Sequence, residues 1–322
     1  MKSIKNCHQV GLKNKVFVRR NKVAAYITAY KDYAALNQCI QAISQQFYEV
    51  SAVFVLDNSP VSLLKNTDSS IVISHHPSNI GIGEGLRIAI EWAISQGYDF
   101  LWTFDQDSVP TPNCLETLLE TYDKLRSDNY KIGIIAPTPI DERTNEVVEG
   151  AVYNCDRFAA YKHNSKVRFY ECDAPITSGS LIAVSVAKTI SPPRGDLFID
   201  GIDLDYGLRI RQKGFKNLIV PSAIMYHNFG LPIKVKFLNK EIFIQKYSAL
   251  RHYYICRNHT YLSTRYAKGW YKLKSCLRRL KFLIRTTAFI LMYDSEDKVI
   301  KIWACLLGTF HGLKGKLGKT WQ

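Results

Sequence analysis

Two carboxylates, Asp105 and Asp107, stand two positions apart directly after the apolar run at 100–104. Alternate residues of an extended segment point to the same side, so both side chains can share one hard divalent cation that binds a diphosphate. Mg²⁺ and Mn²⁺ suit carboxylate ligands, and His227 could complete the site with an imidazole or be a structural residue. The alternative is a solvated turn, since Asp is common in turns. The preceding strand favours the cation site.

A polar turn also follows the apolar run at 50–56 and consists of Asp57, Asn58 and Ser59. Short polar side chains at such a position can recognise the edge of a uracil or thymine base and a ribose. They can equally form a plain Asx turn, because Asp and Asn side chains bind nearby backbone N–H groups. The pattern alone leaves both interpretations open.

Glycines are concentrated at 79–85, where the candidate binding residues are Asn79, Gly81 and Gly85. Backbone N–H groups at the start of a helix favour anions, so the segment resembles a phosphate-binding loop ahead of the helix predicted at 83–96. It lacks the Gly-Lys-Ser/Thr ending of a P-loop. The alternative is a turn that lets the chain approach a ligand without binding it.

A further group of carboxylates, Asp200, Asp203 and Asp205, lies at the start of a helix predicted at 203–213. The helix dipole stabilises ionised carboxylates there, and one of them can serve as a general base. The alternative is helix capping together with an Asp205–Arg209 ion pair. We favour this alternative for Asp205 and reject it for Asp203.

Strand and helix patterns alternate between residues 23 and 137, which predicts how these side chains are positioned. Strands are predicted at 23–28, 50–56, 71–74, 100–104 and 132–136, and helices after Asp32, at 83–96 and from Pro112. The order predicts an α/β fold, with right-handed crossovers and a mostly parallel sheet flanked by helices. Ligands of such sheets bind beyond the carboxyl ends of the strands, where the polar residues are Thr28, Asp57, Asn58, Asp105 and Asp107.

The pattern changes along the rest of the chain. A loop is predicted at 150–168, a strand at 176–184, and extended segments at 218–220 and 224–227. After Leu231 the sequence is rich in Tyr, Arg and Lys and looks helical. We therefore predict a lead-in at 1–21, a main α/β domain at 22–230 and a basic helical region at 231–322.

Charge separates the two main parts of the chain. The 322 residues include 43 Lys and Arg and 28 Asp and Glu, for a net charge of +15. Residues 1–230 contain 24 of each sign, so residues 231–322, with 19 basic and 4 acidic residues, carry the whole excess. A basic C-terminal part indicates an anionic partner: a phospholipid surface, a nucleic acid or a phosphorylated substrate. Basic and apolar residues interleave at 272–285, as in a helix on a membrane surface or a solvated helix packed on the body.

Composition excludes several classes of protein. Hydrophobic residues make up 47% and charged residues 22%, which excludes a disordered or collagen-like chain. The 8 cysteines form no C-x-x-C pair, which argues against a zinc ribbon and indicates a reducing cytosol. No signal-peptide pattern is present, and no apolar run reaches the roughly 20 residues of a spanning helix. We therefore expect a cytoplasmic protein.

Taken in order, these segments resemble the inverting family 2 glycosyltransferases of the GT-A fold, and among them the bacterial rhamnosyltransferases of surface polysaccharide synthesis. The resemblance extends over residues 23–261. It rests on the segments 57–59, 79–81, 104–108, 178–180, 198–200 with Asp203, 208–209, His227, 251–254 and 257–258. It implies a GT-A catalytic domain, with a Rossmann-like nucleotide-binding half.

The resemblance implies a role for each candidate residue. Asp203 would be the general base, with Asp200 and Asp205 as rivals. Asp107 would bind the divalent cation, Mg²⁺ or Mn²⁺, with His227 as a further ligand. The donor nucleotide would lie against Thr28, Ala29, Tyr30, Asp57, Asn58, Asn79, Gly81, Gly85, Asp105 and Gln106. The donor and acceptor pocket would include Ser178, Gly179, Asp200 and Arg209.

The resemblance also implies a reaction and its partners. The cation neutralises the leaving diphosphate, and the base takes the proton of the attacking acceptor hydroxyl, so the anomeric centre inverts in one step. The implied donor is dTDP-rhamnose, with a UDP-hexose or galactofuranose donor as alternative. The implied acceptor is an oligosaccharide, commonly lipid-linked, in O-antigen- or capsule-type synthesis. We expect a peripheral protein on the anionic inner face of the plasma membrane.

Three other functions are weighed against this one. A nucleic-acid binder would fit the charge of +15, but residues 1–230 are electroneutral and carry no RRM, KH or helix-turn-helix pattern, so no nucleic acid is expected. A sugar nucleotidyltransferase would carry a glycine-rich basic loop near its first strand, and residues 28–32 contain no Gly. An inactive scaffold is disfavoured because Asp107 and Asp203 are both present.

Overall fold

The computed structural model describes residues 20–65, 69–161, 167–237 and 240–321. Its centre is a nine-stranded sheet, with helices between the strands as the sequence predicts. The strands are Val23–Ala29 (β1), Ala52–Asp57 (β2), Ile71–His75 (β3), Phe100–Asp105 (β4), Ser108–Pro110 (β5), Ile132–Asp141 (β6), Ala151–Tyr153 (β7), Phe158–Ala160 (β8), Tyr170–Cys172 (β9), Leu181–Ala183 (β10), Lys216–His227 (β11), Pro232–Phe237 (β12) and Lys240–Gln245 (β13). The helices are Tyr33–Ser44 (α1), Gly81–Ser95 (α2), Cys114–Ser127 (α3), Val184–Ala187 (α4), Ile202–Gln212 (α5), Ala249–Tyr266 (α6), Trp270–Tyr293 (α7) and Lys298–Lys314 (α8).

One half of the sheet is parallel, in the order β3-β2-β1-β4. Its inner strands are continuously apolar, as in β1, because strands buried on both faces need no polar alternation. The four strands predicted for this half are confirmed to within two residues at each end. The register pairs Ala29 with Asp57 and Thr28 with Asp105, so the polar strand ends meet at one edge.

The other half of the sheet is mixed. β10 lies antiparallel between β4 and β6, while β11 runs parallel to β6 and antiparallel to β5 and β9. The strand predicted at 176–184 is wrong in extent, because only β10 pairs and α4 follows it at once. The residues before β10 form a turn bonded to β4: Gly179 N–H donates to Thr103 O, and the Trp102 indole N–H donates to Gly179 O at 2.9 Å.

Three further predictions for the second half of the chain are wrong. The loop predicted at 150–168 contains the antiparallel pair β7–β8. The extended segments at 218–220 and 224–227 are one strand, β11, with a register shift between Val220 and Ile224. The helical pattern expected directly after Leu231 is preceded by the hairpin pair β12–β13, where polar and apolar residues alternate with a period of two. The lead-in predicted at 1–21 lies almost wholly outside the described residues.

A side-chain cap marks the start of the first helix, and a glycine in the left-handed region marks the start of the second. Asp32 caps α1 as predicted, since its Oδ1 accepts from Ala35 N–H at 3.0 Å. The helix predicted at 83–96 begins two residues earlier, at Gly81. Gly81 has φ +83°, and a Cβ there would lie 2.4 Å from the Phe198 ring, so only glycine fits this position.

The C-terminal helices pack on one another and on the rest of the chain. α8 lies so close to α6 that a Cβ on Gly308 would be only 2.4 Å from Tyr253 O, so the absence of a side chain there permits the contact. In α6, the Arg257 and Asn258 side chains donate to Leu197 O at 2.9 and 2.8 Å. Helix α6 therefore holds the segment that leads into α5. None of the helices in the described ranges combines the length and apolarity that crossing a bilayer demands.

Candidate active site

A cavity of about 790 Å³, here the first cavity, lies beyond the carboxyl ends of β1, β2 and β4. The sequence predicts that polar strand ends meet there, and most of the candidates do. Its walls include Thr28, Tyr30, Asn58, Asn79, Gly81, Asp105, Gln106, Asp107 and His227. Three of the predicted nucleotide-binding residues, Ala29, Asp57 and Gly85, are not among the lining residues.

Gln106 ties together two loops of the first cavity. Its Oε1 accepts from Tyr30 N–H at 2.7 Å, and its Nε2 donates to Tyr30 O at 3.0 Å. Its backbone N–H donates to Thr28 O at 3.2 Å. The residue between the two carboxylates thus fixes the loop after β4 against the loop after β1.

Asp57 is buried, and its carboxylate is used within its own turn. Oδ1 accepts from Ser59 N–H at 2.9 Å and Oδ2 accepts from Leu63 N–H at 2.6 Å. Only 1% of the residue is exposed. This geometry is the Asx turn of the alternative interpretation, and it leaves Asn58 as the residue of this turn that lines the first cavity.

The glycine-rich segment brings α2 close to its neighbours. Its N–H groups are largely used inside the protein: Ile80 N–H donates to Asn58 Oδ1 at 2.9 Å, and Gly81 N–H donates to Asn79 Oδ1 at 3.0 Å. At Gly85 a Cβ would lie 2.5 Å from the Tyr26 hydroxyl. The segment therefore fits the close-approach interpretation better than that of a phosphate-binding loop.

Asp105, Asp107 and His227 stand together at the wall of the first cavity. His227 Nδ1 lies 3.2 Å from Asp107 Oδ1, and its Nε2 lies 3.9 Å from Asp105 Oδ2. Ser108 Oγ lies 2.9 Å from His227 Nδ1, and Ser178 Oγ accepts from Asp105 N–H at 3.0 Å. Asp105 ends β4, Asp107 lies in the turn before β5, and His227 ends β11, whose pairing with β5 brings the imidazole to the two carboxylates.

Burial and neighbouring charges shift the protonation of this group. Burial raises the pKa of Asp105, and the charge of Asp107 adds to that effect, while His227 opposes it. For His227, burial disfavours the charged form, but the hydrogen bond to Asp107 and both carboxylate charges outweigh burial and raise its pKa. Asp105 and His227 therefore both hold a proton to higher pH than isolated Asp and His side chains do.

The described residues contain no ready-made cluster of three or more His, Cys, Asp or Glu side chains with metal-site geometry. The donor types nevertheless fit a divalent cation, because the His227 imidazole lies within 4 Å of both the Asp105 and the Asp107 carboxylate. Mg²⁺ and Mn²⁺ take such oxygen-rich donor sets.

A second cavity of about 460 Å³ adjoins the first and contains Asp203. Its lining also includes Ser178 and Asp200, as predicted. The two cavities have Ile82, Asp105, Ile199, His227, Phe229 and Arg251 in common. Asp107 and Asp203 therefore lie in two compartments of one cleft.

The three carboxylates before and in α5 differ in their partners. Asp200 is paired with Arg251, whose Nε lies 3.0 Å from Asp200 Oδ2. Asp205 accepts from Arg209 Nε at 2.8 Å and from the Tyr266 hydroxyl at 2.7 Å.

No described side chain forms an ion pair or hydrogen bond with Asp203. Its Oδ1 accepts from Leu204 N–H at 2.9 Å. Burial, reinforced by the charges of Asp200 and Asp105, raises the pKa of Asp203 to about 6. Of the three carboxylates, Asp203 is thus the one that is free to take a proton near neutral pH.

Two predicted pocket residues lie elsewhere. The Arg209 guanidinium donates to Asp205 and, at 3.0 Å, to Pro192 O, and it lines neither cavity. Gly179 also lines neither cavity and acts through the turn that holds Ser178. Local sequence could not separate these cases, because the partners of Arg209 and Gly179 follow from the fold.

Sequence reasoning gave no role to some residues that form the site. Arg251 lines both cavities and pairs with Asp200. Near the C-terminus, Lys319 and Trp321 line the first cavity, and Lys319 Nζ donates to Asn79 O at 3.1 Å. The segment 251–254 belongs to the family resemblance and could have indicated a role for Arg251. Nothing in the sequence around Lys319 indicates its contact with Asn79, 240 positions away.

Comparison with known proteins gives the family. The sequence model of glycosyl transferase family 2 matches residues 25–188. A dTDP-rhamnosyl transferase, RfbF of Shigella flexneri, is 26% identical over 309 residues, which cover 92% of this chain and 97% of that protein. The family-model match includes most of β1, all of β2 and β4, and the Asp105–Asp107 segment, which form one part of the first cavity.

The solved structure of GalNAc-T7 confirms the fold. GalNAc-T7, crystallised with UDP, GalNAc and Mn²⁺, aligns with a TM-score of 0.58 at 13% identity, over 93% of this chain and 57% of that one. The chain thus spans little more than half the length of that structure. TarS of S. aureus (residues 1–349) aligns with a TM-score of 0.47 at 12% identity, over 90% of this chain and 80% of that one.

Proposed function

The chain belongs to glycosyl transferase family 2, and we propose that it transfers L-rhamnose from dTDP-rhamnose to a saccharide acceptor with inversion of the anomeric centre. A UDP-sugar is the alternative donor. The similarity to a dTDP-rhamnosyl transferase over most of both chains supports the choice of donor. The observation that carries the mechanism is the position of Asp203 beside the cavity of Asp105 and Asp107. Of the three carboxylates at 200–205, Asp203 is the one without a side-chain partner among the described residues.

In this proposal the nucleotide lies in the first cavity and the acceptor hydroxyl lies near Asp203 in the second. Asp203 takes the proton of the hydroxyl as it attacks the sugar. A pKa of about 6 suits this role, because the carboxylate is ionised at neutral pH yet more basic than an exposed Asp. The Asp200–Arg251 pair holds the segment that carries Asp203.

We propose that Asp107 and His227, with Asp105 beside them, hold a divalent cation, Mg²⁺ or Mn²⁺. Such a cation, when bound, neutralises charge on the leaving diphosphate. The short distance between Asp107 and His227, 3.2 Å, supports a shared ligand. Ser108 orients the imidazole from the same side as Asp107.

We also propose that residues 231–322 place the catalytic part, residues 22–230, on an anionic membrane surface, where a lipid-linked acceptor of O-antigen- or capsule-type synthesis is reached. Two stripes of large apolar residues support this, and the exposed fraction of each residue lies between 45% and 84%. They consist of Leu273, Leu277, Leu280 and Ile284 on α7, and Val299, Trp303, Leu306, Phe310 and Leu313 on α8. Flanking lysines would meet anionic lipid headgroups.

The proposal is tested by measuring transfer from dTDP- and UDP-sugars with and without Mn²⁺. We expect cation-dependent transfer from dTDP-rhamnose and its loss in Asp203→Asn. Asp123→Asn serves as matched control, because Asp123 is exposed on α3 and lines neither cavity. Failure of all these sugar nucleotides to bind would contradict the proposal.

A further inference from the structure

Three cavities of different chemistry meet at one residue, Phe282. It lines the second cavity, which contains Asp203. It also lines a cavity of about 390 Å³ rich in Arg and Lys, here the basic cavity. Finally, it lines a cavity of about 410 Å³ between the β12–β13 hairpin, α6 and α7, here the apolar cavity. A ligand could therefore extend from the proposed base into either neighbour.

The basic cavity has more positive than negative side chains. Its charged lining residues are Asp156, Arg157, Arg278, Arg279, Lys281 and Arg285. Asp156 is already paired with Arg278, at 2.7 Å from its Nε. Within the described ranges, no carboxylate pairs with Arg157, Arg279, Lys281 or Arg285. Such an uncompensated cluster favours an anion.

Arg279 gives an independent indication that the basic cavity binds a ligand. Its Nε donates to Thr260 Oγ1 at 3.1 Å, and its guanidinium lies 4.2 Å from the centre of the Phe282 ring. Its Nη2 is buried and, among the described residues, has no hydrogen-bond partner. Burial lowers the pKa of Arg279 to about 10, so the group is still charged at neutral pH. A buried donor without a partner is costly, and a bound oxyanion would satisfy it.

We propose that the basic cavity binds the phosphate or diphosphate group of an amphiphilic acceptor, whose saccharide lies beside Asp203 and whose apolar chain lies in the apolar cavity. The inference rests on the proposed glycosyl transfer and names its acceptor class. Arg279 would bind the oxyanion from the buried side, and Lys281 and Arg285 from the exposed side. This site is separate from the first cavity, with which it shares no lining residue.

The apolar cavity fits the remaining part of such an acceptor. Its walls are mainly aliphatic and aromatic and include Ile233, Ile242, Ile244, Ile255, Phe289 and Ile290. It shares Phe282 and Arg285 with the basic cavity, so a phosphate group and an apolar chain joined to it can occupy both. Phe243 lines this cavity and is 49% exposed, so a chain would enter past its ring.

The test is calorimetric titration of the full chain with inorganic pyrophosphate and with farnesyl diphosphate, without added metal and with dTDP saturating the first cavity. We expect Arg279→Gln to weaken both ligands by about tenfold or more, since one charged hydrogen bond is lost. Lys272→Gln on α7 is the matched control, because Lys272 is exposed and lines none of the three cavities. If Arg279→Gln does not fold, the exposed pair Lys281→Gln with Arg285→Gln replaces it and should weaken pyrophosphate similarly.

Each result has a distinct meaning. Pyrophosphate binding that is unchanged in the Arg279 and the Lys281–Arg285 variants overturns the anion site. Farnesyl diphosphate that binds no more tightly than pyrophosphate overturns the amphiphilic acceptor. Unchanged dTDP binding in these variants is expected. Failure of the unaltered chain to bind either dTDP or UDP would contradict the proposed function and leave the anion site to be judged on pyrophosphate alone.

Discussion

Replacing Asp203 with Asn is expected to abolish transfer and to stabilise the fold at neutral pH. The carboxylate is buried beside Asp200 and Asp105, which raises its pKa from 3.8 to about 6. A difference of this size corresponds to about 3 kcal/mol by which the ionised form is disfavoured in the folded state. Asn retains an oxygen that accepts from Leu204 N–H, so the substitution removes the charge without removing the observed hydrogen bond.

The gain in stability should depend on pH in a defined direction. A raised pKa means that Asp203 favours folding only while it is protonated, and that this contribution is lost as pH rises through about 6. At pH 7.5 the Asn variant should therefore be more stable by up to about 3 kcal/mol, and the difference should shrink as pH falls towards 4. The kcat/KM of the unaltered enzyme should fall below pH 6, where the base becomes protonated.

The assay combines thermal unfolding at pH 7.5 and pH 4.5 with initial rates of transfer. We expect a Tm several degrees higher for Asp203→Asn at pH 7.5 and a rate lower by about 10²–10⁴-fold. Asp123→Asn should change neither quantity, because Asp123 is exposed on α3. Near-normal turnover of Asp203→Asn would refute the role of Asp203 as general base. A Tm at pH 7.5 equal to that of the unaltered protein would refute the inference that the buried Asp203 carboxylate destabilises the fold.

Three other perturbations test separate parts of the site. Asp107→Ala should remove the effect of Mn²⁺ on donor binding, measured by calorimetry, and an unchanged Mn²⁺ effect would contradict the cation site. Gly81→Ala should destabilise the fold by about 2 kcal/mol or more in urea unfolding, since φ is +83° and the new Cβ would lie 2.4 Å from the Phe198 ring. Replacing both Trp303 and Leu306 with Asp, on the exposed stripe of α8, should release the protein from anionic vesicles in a flotation assay. Unchanged flotation would refute the proposal that this stripe binds a membrane.

The parallel half of the sheet could be predicted because its strands are long and apolar. β1, β2 and β4 are each six or seven residues long and buried, so composition identifies them without any knowledge of their partners. β10 has only three residues and is fixed by side-chain and turn bonds to β4, which no periodicity reveals. The polar ends of the parallel strands were placed correctly for the same reason as the strands themselves.

The roles of the acidic side chains could be predicted only in part. Asp57 is buried in an Asx turn, and the same residues would form a nucleotide contact if the turn opened outward, so the pattern could not decide. The distinction between Asp200, Asp203 and Asp205 depends on Arg251 and Tyr266, which are distant in sequence. Long-range partners of this kind become visible only in the fold.

The central claim is that Asp107 and Asp203 serve one transfer reaction from two sides of a single cleft, Asp107 at the donor diphosphate and Asp203 at the acceptor hydroxyl. Anomalous diffraction from crystals grown with Mn²⁺ and dTDP tests it most directly. We predict a manganese peak bound to Asp107 and His227, with the terminal phosphate of dTDP beside it and the open side of the cleft facing Asp203. A peak elsewhere, or a nucleotide whose diphosphate points away from Asp203, would contradict the account.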